Sequence, residues 1–333
     1  MEPMEKLIAQ FPKQIADALS DASEYDFKSI QGKDFHKIVI CGMGGSGIGG
    51  KLIERWFYDS CRVPLTLVKD YSVPDFVDEK TLVIASSYSG NTEETIAATK
   101  DAFSKGATIV GITSGGELQK FCKIHDFDLA KVPGGNPPRS MMAFSVVHLV
   151  NMLIQANLIP KESLEHFKKC RNLLNNELIS IKEQAKNLAH FIHKKQVFIY
   201  STTLHEPVAI RARQQFNENA KILCCHHVIP ELNHNEVVGW GGGSDQIAVV
   251  LINSNFINDR NKLRVQLTQK VIKEKTPHLL VMEPKGNNVF EETFYLIHII
   301  DWASIYLSAL NNVDPMEIDV IEFLKGELLK SKN

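Results

Sequence analysis

The chain has no cysteine spacing that would suit a metal or a redox pair. Its six cysteines are Cys41, Cys61, Cys122, Cys170, Cys224 and Cys225. None forms a C-x-x-C pair, and no Cys/His cluster has zinc-finger spacing, so no metal site is expected. Cys41 and the Cys224-Cys225 pair lie in apolar, strand-like runs, where a reduced thiol acts as a small hydrophobe. That pattern predicts a reducing, cytoplasmic setting. The N-terminal Met-Glu-Pro-Met-Glu-Lys has no basic segment followed by an apolar block, so no secretory signal is expected. No apolar run reads as long enough to span a membrane, and no membrane partner is expected. An excess of either charge is also missing. Lys and Arg number 37 against 39 Asp and Glu, a net charge of −2, which gives no electrostatic reason to expect nucleic acid. No basic stretch or helix-turn-helix pattern precedes residue 35. What remains is 333 residues, 44% apolar and 23% charged, enough for two globular domains with a sizeable core.

The stretch around which the rest is organised is Ser86-Ser-Tyr-Ser-Gly-Asn-Thr-Glu-Glu-Thr95. It follows a β-branched apolar run, residues 81–85, and leads into Glu93-Glu-Thr-Ile-Ala-Ala98, which reads as the first turns of a helix. A strand that ends in hydroxyls and a glycine and then opens a helix suits an anion: first-turn N–H groups point outward and the helix dipole places partial positive charge there. The run contains no lysine, so recognition would rest on neutral donors, Ser87, Ser89 and Thr92, and on the dipole. Capping alone would need one such hydroxyl.

Upstream, residues 4–19 carry apolar residues at helical spacing (Leu7, Ile8, Phe11, Ile15, Leu19) and predict one amphipathic leader helix packed on the first domain. A buried strand at 35–41 meets Gly42-Met-Gly-Gly-Ser-Gly-Ile-Gly-Gly50, and a helix follows from Lys51 to Trp56. Strand, glycine turn and helix is the phosphate-binding geometry of a βα unit. Gly42-x-Gly44-x-x-Gly47 also fits a dinucleotide fingerprint, with Asp70 at about the position of a ribose ligand. The hydroxyl loop after the third strand argues against that reading, because a dinucleotide enzyme needs no second phosphate cradle there. Ser46 reads equally as a ligand hydroxyl or a helix cap.

A fourth strand at 107–113 and a fifth at 127–132 follow. The fifth leads to Pro133-Gly-Gly-Asn-Pro-Pro-Arg139-Ser140, a proline-stiffened loop kept out of helix with Arg139 at its tip. Arginine is suited to completing an oxyanion site from such a loop, though a surface ion pair is its commoner role. An apolar helix spans 141–158. Helical, charged segments over 160–195 join this domain to a second βα series: strands at 196–200, 222–225, 245–252 and 278–282, and helices at 207–216 and 290–310. The expected fold class is α/β, two doubly wound αβα sandwiches with mostly parallel sheets, divided 1–158 and 159–333 as a degenerate duplication.

Three places in the second half could carry chemistry. Glu218, in Asn217-Glu-Asn-Ala-Lys221, has amide rather than cationic neighbours, an environment that could keep its pKa high enough to shuttle a proton, but it also reads as an ordinary helix-end carboxylate. His234, in Glu231-Leu-Asn-His-Asn-Glu236, is a candidate acid/base in a polar break, followed by Gly239-Trp-Gly-Gly-Gly243, which could take an unusual path. Lys325, near the C-terminus, either reaches over a site or is solvated on a terminal amphipathic helix.

Taken in order, Gly42-Met-Gly-Gly-Ser-Gly47, Ser86-Ser-Tyr-Ser-Gly-Asn-Thr-Glu-Glu94, Pro137-Pro-Arg139, Asn217-Glu-Asn-Ala-Lys221 and Glu231-Leu-Asn-His-Asn-Glu236 resemble the bifunctional phosphoglucose/phosphomannose isomerase family, built from two sugar-isomerase (SIS) domains. The resemblance covers residues 35 to about 326. It implies that Ser46, Ser87, Ser89 and Thr92, with the Gly45 and Gly47 backbone, hold a sugar 6-phosphate. By the same resemblance, Arg139 stabilises an enediolate, Glu218 moves a proton between C2 and C1, and His234, donated across a homodimer, opens the ring with help from Lys325. No cofactor or metal is implied, since aldose–ketose isomerisation needs a phosphate anchor, one base, a ring-opening acid/base and a cation. Two other readings stand beside it: a non-catalytic sugar-phosphate-sensing SIS protein, and a dinucleotide oxidoreductase using Gly42 to Gly47.

Overall fold

The computed structural model describes residues 3–330. Residues 1–2, within the N-terminal stretch read above for a signal, and 331–333 lie outside the described residues. The leader is two helices, α1 (Met4–Ala9) and α2 (Phe11–Ala22), in place of the single helix expected. Pro12 lies in the first turn of α2, where its missing N–H costs nothing, whereas one continuous helix would lose a hydrogen bond at that point. The leader also reaches beyond the first lobe, since the Phe11 ring stacks on Phe294 at 5.4 Å.

The first lobe then runs β1 (Lys37–Cys41), α3 (Gly44–Trp56), β2 (Leu65–Val68), β3 (Thr81–Ser86), α4 (Glu93–Ser104), β4 (Thr108–Thr113), α5 (Gly116–Ile124), β5 (Leu129–Lys131) and α6 (Met142–Gln155). Its five strands are parallel in the order β2-β1-β3-β4-β5. Alternate residues face opposite sides, as a strand buried on both faces requires. Ile38, Ile40, Leu82 and Ile84 join the main core with α3 and α6, while Val39, Cys41 and Val83 pack with Ala98 and Ala102 of α4.

The connection is helical, as expected: α7 (Glu165–Asn176) and α8 (Leu178–Ile192). The second lobe follows with β6 (Gln196–Thr202), α9 (Glu206–Ala220), β7 (Cys224–Ile229), α10 (Glu236–Gly239), β8 (Ile247–Ile252), α11 (Asp259–Lys273), β9 (Leu279–Met282), α12 (Val289–Asn311) and α13 (Asp319–Lys330). Its parallel sheet has the order β7-β6-β8-β9. Counted within the lobe this is 2-1-3-4, the first lobe's order without its last strand, so the duplicated pattern read from the sequence recurs as duplicated topology.

Several expectations are corrected. β7 covers 224–229, not 222–225, and takes in His226 and His227. It is an edge strand, where polar side chains are tolerated. The glycines around Trp240 follow ordinary helical turns, with Gly239 at φ −59° and no unusual path. One helix, α12, is long and apolar enough to cross a membrane by length and composition, contrary to the reading that no run reaches that length. Within the fold, however, 83% of its most apolar window is buried. It lies in the main core, which is continuous from α3 and α6 of one lobe to α9 and α12 of the other.

Candidate active site

Three strand ends at the C-terminal edge of the first sheet converge, the position at which open α/β sheets bind ligands. After β1, α3 begins at Gly44, earlier than expected, so Gly44 to Gly47 form its first turn. A Cβ on Gly47 would sit 2.5 Å from the Gly42 carbonyl oxygen, so this tight turn admits only glycine. After β3, the Ser87 hydroxyl donates to Thr92 Oγ1 at 2.9 Å, and the Tyr88 N–H donates to Ser46 Oγ at 3.0 Å. The Tyr88 N–H to Ser46 bond therefore joins the two loops, while the Ser87–Thr92 bond closes the second loop on itself. Ser87 is buried; Ser89, whose Oγ accepts from the Asn91 N–H at 3.2 Å, is exposed. Asp70, the residue weighed as a ribose ligand, is exposed and closes a local turn by accepting the Tyr71 N–H at 2.7 Å.

After β5, Pro138–Ser140 form a 3-10 turn, correcting the expectation that the prolines keep this loop out of helix. Arg139 is not at an exposed tip but 4% accessible. It packs against the glycine turn so closely that a Cβ on Gly45 would lie 3.0 Å from the Arg139 nitrogen. Its guanidinium spans the two lobes. Nη1 donates to Glu218 Oε2 at 3.1 Å, Nε to Asn219 Oδ1 at 2.7 Å and Nη2 to the Pro315 carbonyl at 2.6 Å. Burial pushes the Arg139 pKa below its ordinary value, Glu218 opposes that shift, and Arg211 adds to it. The expectation that only amides flank Glu218 is thus corrected. The cation comes from 79 positions away in sequence, beyond the reach of any reading of local neighbours.

Beneath Arg139 lies a support that the sequence reading missed. Arg211 Nη2 donates to the Arg139 carbonyl at 2.9 Å, and the same guanidinium holds Asp301 through Nε at 3.0 Å and Nη2 at 2.7 Å. Gln215 also donates to Asp301, at 2.8 Å, and Asn219 donates to Ser304 at 2.9 Å. Arg211, Gln215 and Glu218/Asn219 recur at helical i, i+4 spacing along α9, which is the signal that could have found them. Lys221 ends the Asn217-Glu-Asn-Ala-Lys221 motif at the close of α9. It adopts the left-handed conformation at the end of α9 (φ 56°), and its ammonium donates to the Glu218, Asp314 and Glu317 carbonyls at 2.7, 3.0 and 2.7 Å. It therefore fastens the segment that offers Pro315 to Arg139.

His234 and Lys325 are not brought to this cluster. His234 is exposed in a 3-10 turn after β7, a turn shaped by the Asn235 amide donating to Glu231 at 2.7 Å. Glu218 lies at the other end of the lobe, just before β7, whose six residues span about 17 Å between them. Lys325 is exposed on α13, which buries no residue. Among the described residues, no group of three His, Cys, Asp or Glu side chains is gathered to hold a metal ion.

Both lobes are similar to known sugar-isomerase domains. Residues 33–159 match the SIS domain, and residues 181–328 match the bacterial phospho-glucose isomerase C-terminal SIS domain. Tagatose-6-phosphate ketose/aldose isomerase from Escherichia coli shares the fold at a TM-score of 0.72 and 14% identity, over 94% of each chain. The C-terminal domain of glucosamine-fructose-6-phosphate aminotransferase from Francisella tularensis shares it at 0.75 and 14%, over 94% of this chain and 97% of that one. At higher similarity, a bifunctional phosphoglucose/phosphomannose isomerase from Caldicellulosiruptor bescii is 35% identical over 92% of this chain and 93% of its own, and one from Aquifex aeolicus is 36% identical over 88% and 90%. The chain belongs to the bifunctional phosphoglucose/phosphomannose isomerase family and is a sugar-phosphate isomerase.

Proposed function

We propose that the chain interconverts glucose 6-phosphate or mannose 6-phosphate with fructose 6-phosphate through a cis-enediolate, without a metal, as a homodimer in the reducing cytoplasm. The observation that carries this is the 3.1 Å contact of Arg139 Nη1 with Glu218 Oε2, made across the lobes at the sheet edge that carries the hydroxyl loop. Arg139 is 4% exposed and the Glu218 side chain 28%, so the cation is fixed while the carboxylate is open to a ligand.

In this reading Ser46, Ser87, Ser89 and Thr92, with the Gly45 and Gly47 backbone and the α4 dipole, grip the phosphate through neutral donors. Glu218 removes the C2 proton of the open-chain aldose and returns it to C1. Arg139 faces the O1 and O2 oxygens and stabilises the negative charge that develops between the two steps. Return of the proton to either face of C2 in the reverse direction makes both aldoses substrates. Ring opening needs a separate acid/base. The distance between His234 and Glu218 within one subunit supports donation of His234 by a second subunit, with Lys325 beside it. The functional division is 1–158, which holds the phosphate, and 159–333, which supplies Glu218 and His234.

The test is Glu218→Gln, assayed with each 6-phosphosugar with and without EDTA. Turnover is expected to fall by about 10³-fold or more, as loss of a positioned base does, with phosphosugar binding retained and EDTA without effect on the unmodified enzyme. Normal turnover by the variant would remove Glu218 from this role, and loss of activity in EDTA would overturn the metal-independent chemistry.

A further inference from the structure

The two sheets share one topology, so the strand ends that face the hydroxyl loops in the first lobe have counterparts in the second. In the first lobe, crossovers reverse direction between β1 and β3, and the loops after those strands carry Ser46 and Ser87–Thr92. In the second lobe the reversal falls between β6 and β8. The residues just after these strands also converge, but on a side chain of the protein itself. His205 Nε2 and Ser254 Oγ donate to Glu292 Oε2 at 3.0 and 2.7 Å. The Asn255 N–H and Nδ2 donate to Glu292 Oε1 at 3.0 and 2.7 Å. His205 and Glu292 are fully buried, while Asn255 forms an exposed rim.

We propose that this is the second lobe's anion site, an oxyanion cradle equivalent by topology to the phosphate loops of the first lobe and filled from within by the Glu292 carboxylate in place of a small carboxylate or phosphate ligand. Four donors on one carboxylate, drawn from both sides of the crossover reversal, amount to more than an ion pair between His205 and Glu292 requires. The Ser201 and Thr202 hydroxyls at the end of β6 are buried with no hydrogen-bond partner among the described residues, and because successive strand residues face opposite sides, at most one of them can add to this cradle. Burial alone would raise the Glu292 pKa, but hydrogen bonds from His205, Ser254 and the Asn255 N–H outweigh it and keep the group below its ordinary value, as an anion.

The test removes the internal anion and supplies an external one. Glu292→Ala and Glu292→Gln are compared with the unmodified full-length chain by thermal unfolding in sodium chloride, sodium acetate and sodium phosphate at matched ionic strength. The readout is stability, so the outcome does not depend on the proposed isomerase chemistry. Acetate and phosphate are expected to raise the midpoint of Glu292→Ala by about 3 °C or more beyond the rise each gives the unmodified chain, as a ligand confined to the folded state does. Glu292→Gln is expected to fall below the unmodified chain and to gain no such excess, because the amide fills the space without the charge. If Glu292→Ala does not fold in chloride, refolding yield is read in the same three salts, and recovery in acetate or phosphate supports the site. Equal midpoints or equal yields in all three salts would overturn it, as would a Glu292→Gln variant as stable as the unmodified chain.

Discussion

Arg139→Lys keeps the positive charge at the junction of the lobes but removes the planar fork, so it separates charge from geometry. The arginine makes three hydrogen bonds in three directions, to Glu218, Asn219 and the Pro315 carbonyl. One ammonium can follow Glu218 or Asn219 but not also Pro315, so at least one acceptor, and in most poses two, are left without a donor. An unsatisfied buried acceptor costs about 1–3 kcal/mol, so the loss is about 2–4 kcal/mol. At ~2–4 °C per kcal/mol, the value for domains of about 150–250 residues, that lowers the unfolding midpoint by roughly 4–16 °C. The catalytic loss is larger. A misplaced donor at a developing oxyanion costs about 10²–10³ in kcat, and it should appear in kcat more than in KM, because the proposed mechanism has Arg139 face the reacting carbons and the hydroxyl loops hold the phosphate. A coupled spectrophotometric assay with fructose 6-phosphate, run below the variant's midpoint, measures both constants. A variant with kcat within threefold of the unmodified enzyme would refute the idea that the fork, and not simply a charge, stabilises the reaction.

Two further predictions concern binding and pH. Ser87→Ala removes the hydroxyl that donates to Thr92 at 2.9 Å; KM is expected to rise about fivefold with kcat within twofold, since one neutral hydrogen bond contributes roughly 1 kcal/mol, and an unchanged KM would take Ser87 out of phosphate binding. His298 is buried on α12, and desolvation, with Lys182 and Arg211, pushes its imidazole from 6.5 down to about 3. The unfolded chain therefore binds a proton that the folded chain refuses between those values, so this group costs stability as pH falls from about 6.5 towards 3. The slope is at most about 1.4 kcal/mol per pH unit. In urea titrations His298→Gln, whose amide oxygen can still accept the Trp302 N–H, should show a shallower acid limb, and an unchanged limb would assign the acid sensitivity to other groups.

The architecture was largely legible because its signals are local. Buried parallel strands read as β-branched runs, the hydroxyl and glycine loops lie directly after β3 and β1, and a strand followed by a turn and a helix has few physical alternatives. The leader was misread for a local reason, Pro12, and other misreadings fell where a tertiary neighbour overrides local preference. Residues 226–229 joined β7 because an edge strand accepts histidines. Arg139 became buried because α9 supplies a carboxylate and an amide to meet it, and α12 could be apolar along its length because both lobes pack around it. The sequence by itself determined the α/β class, the repeated lobe, the loops that could hold an anion and the candidate residues, since each of these depends on residues close together in the chain. Only the tertiary structure decided that Arg139 and Glu218 share one site, that Arg211 and Asp301 brace it, that Lys221 fastens Pro315 over it, and that His234 stands at the far end of its own lobe. Those facts depend on how two sheets dock, and docking is set by side-chain packing between segments tens to hundreds of residues apart.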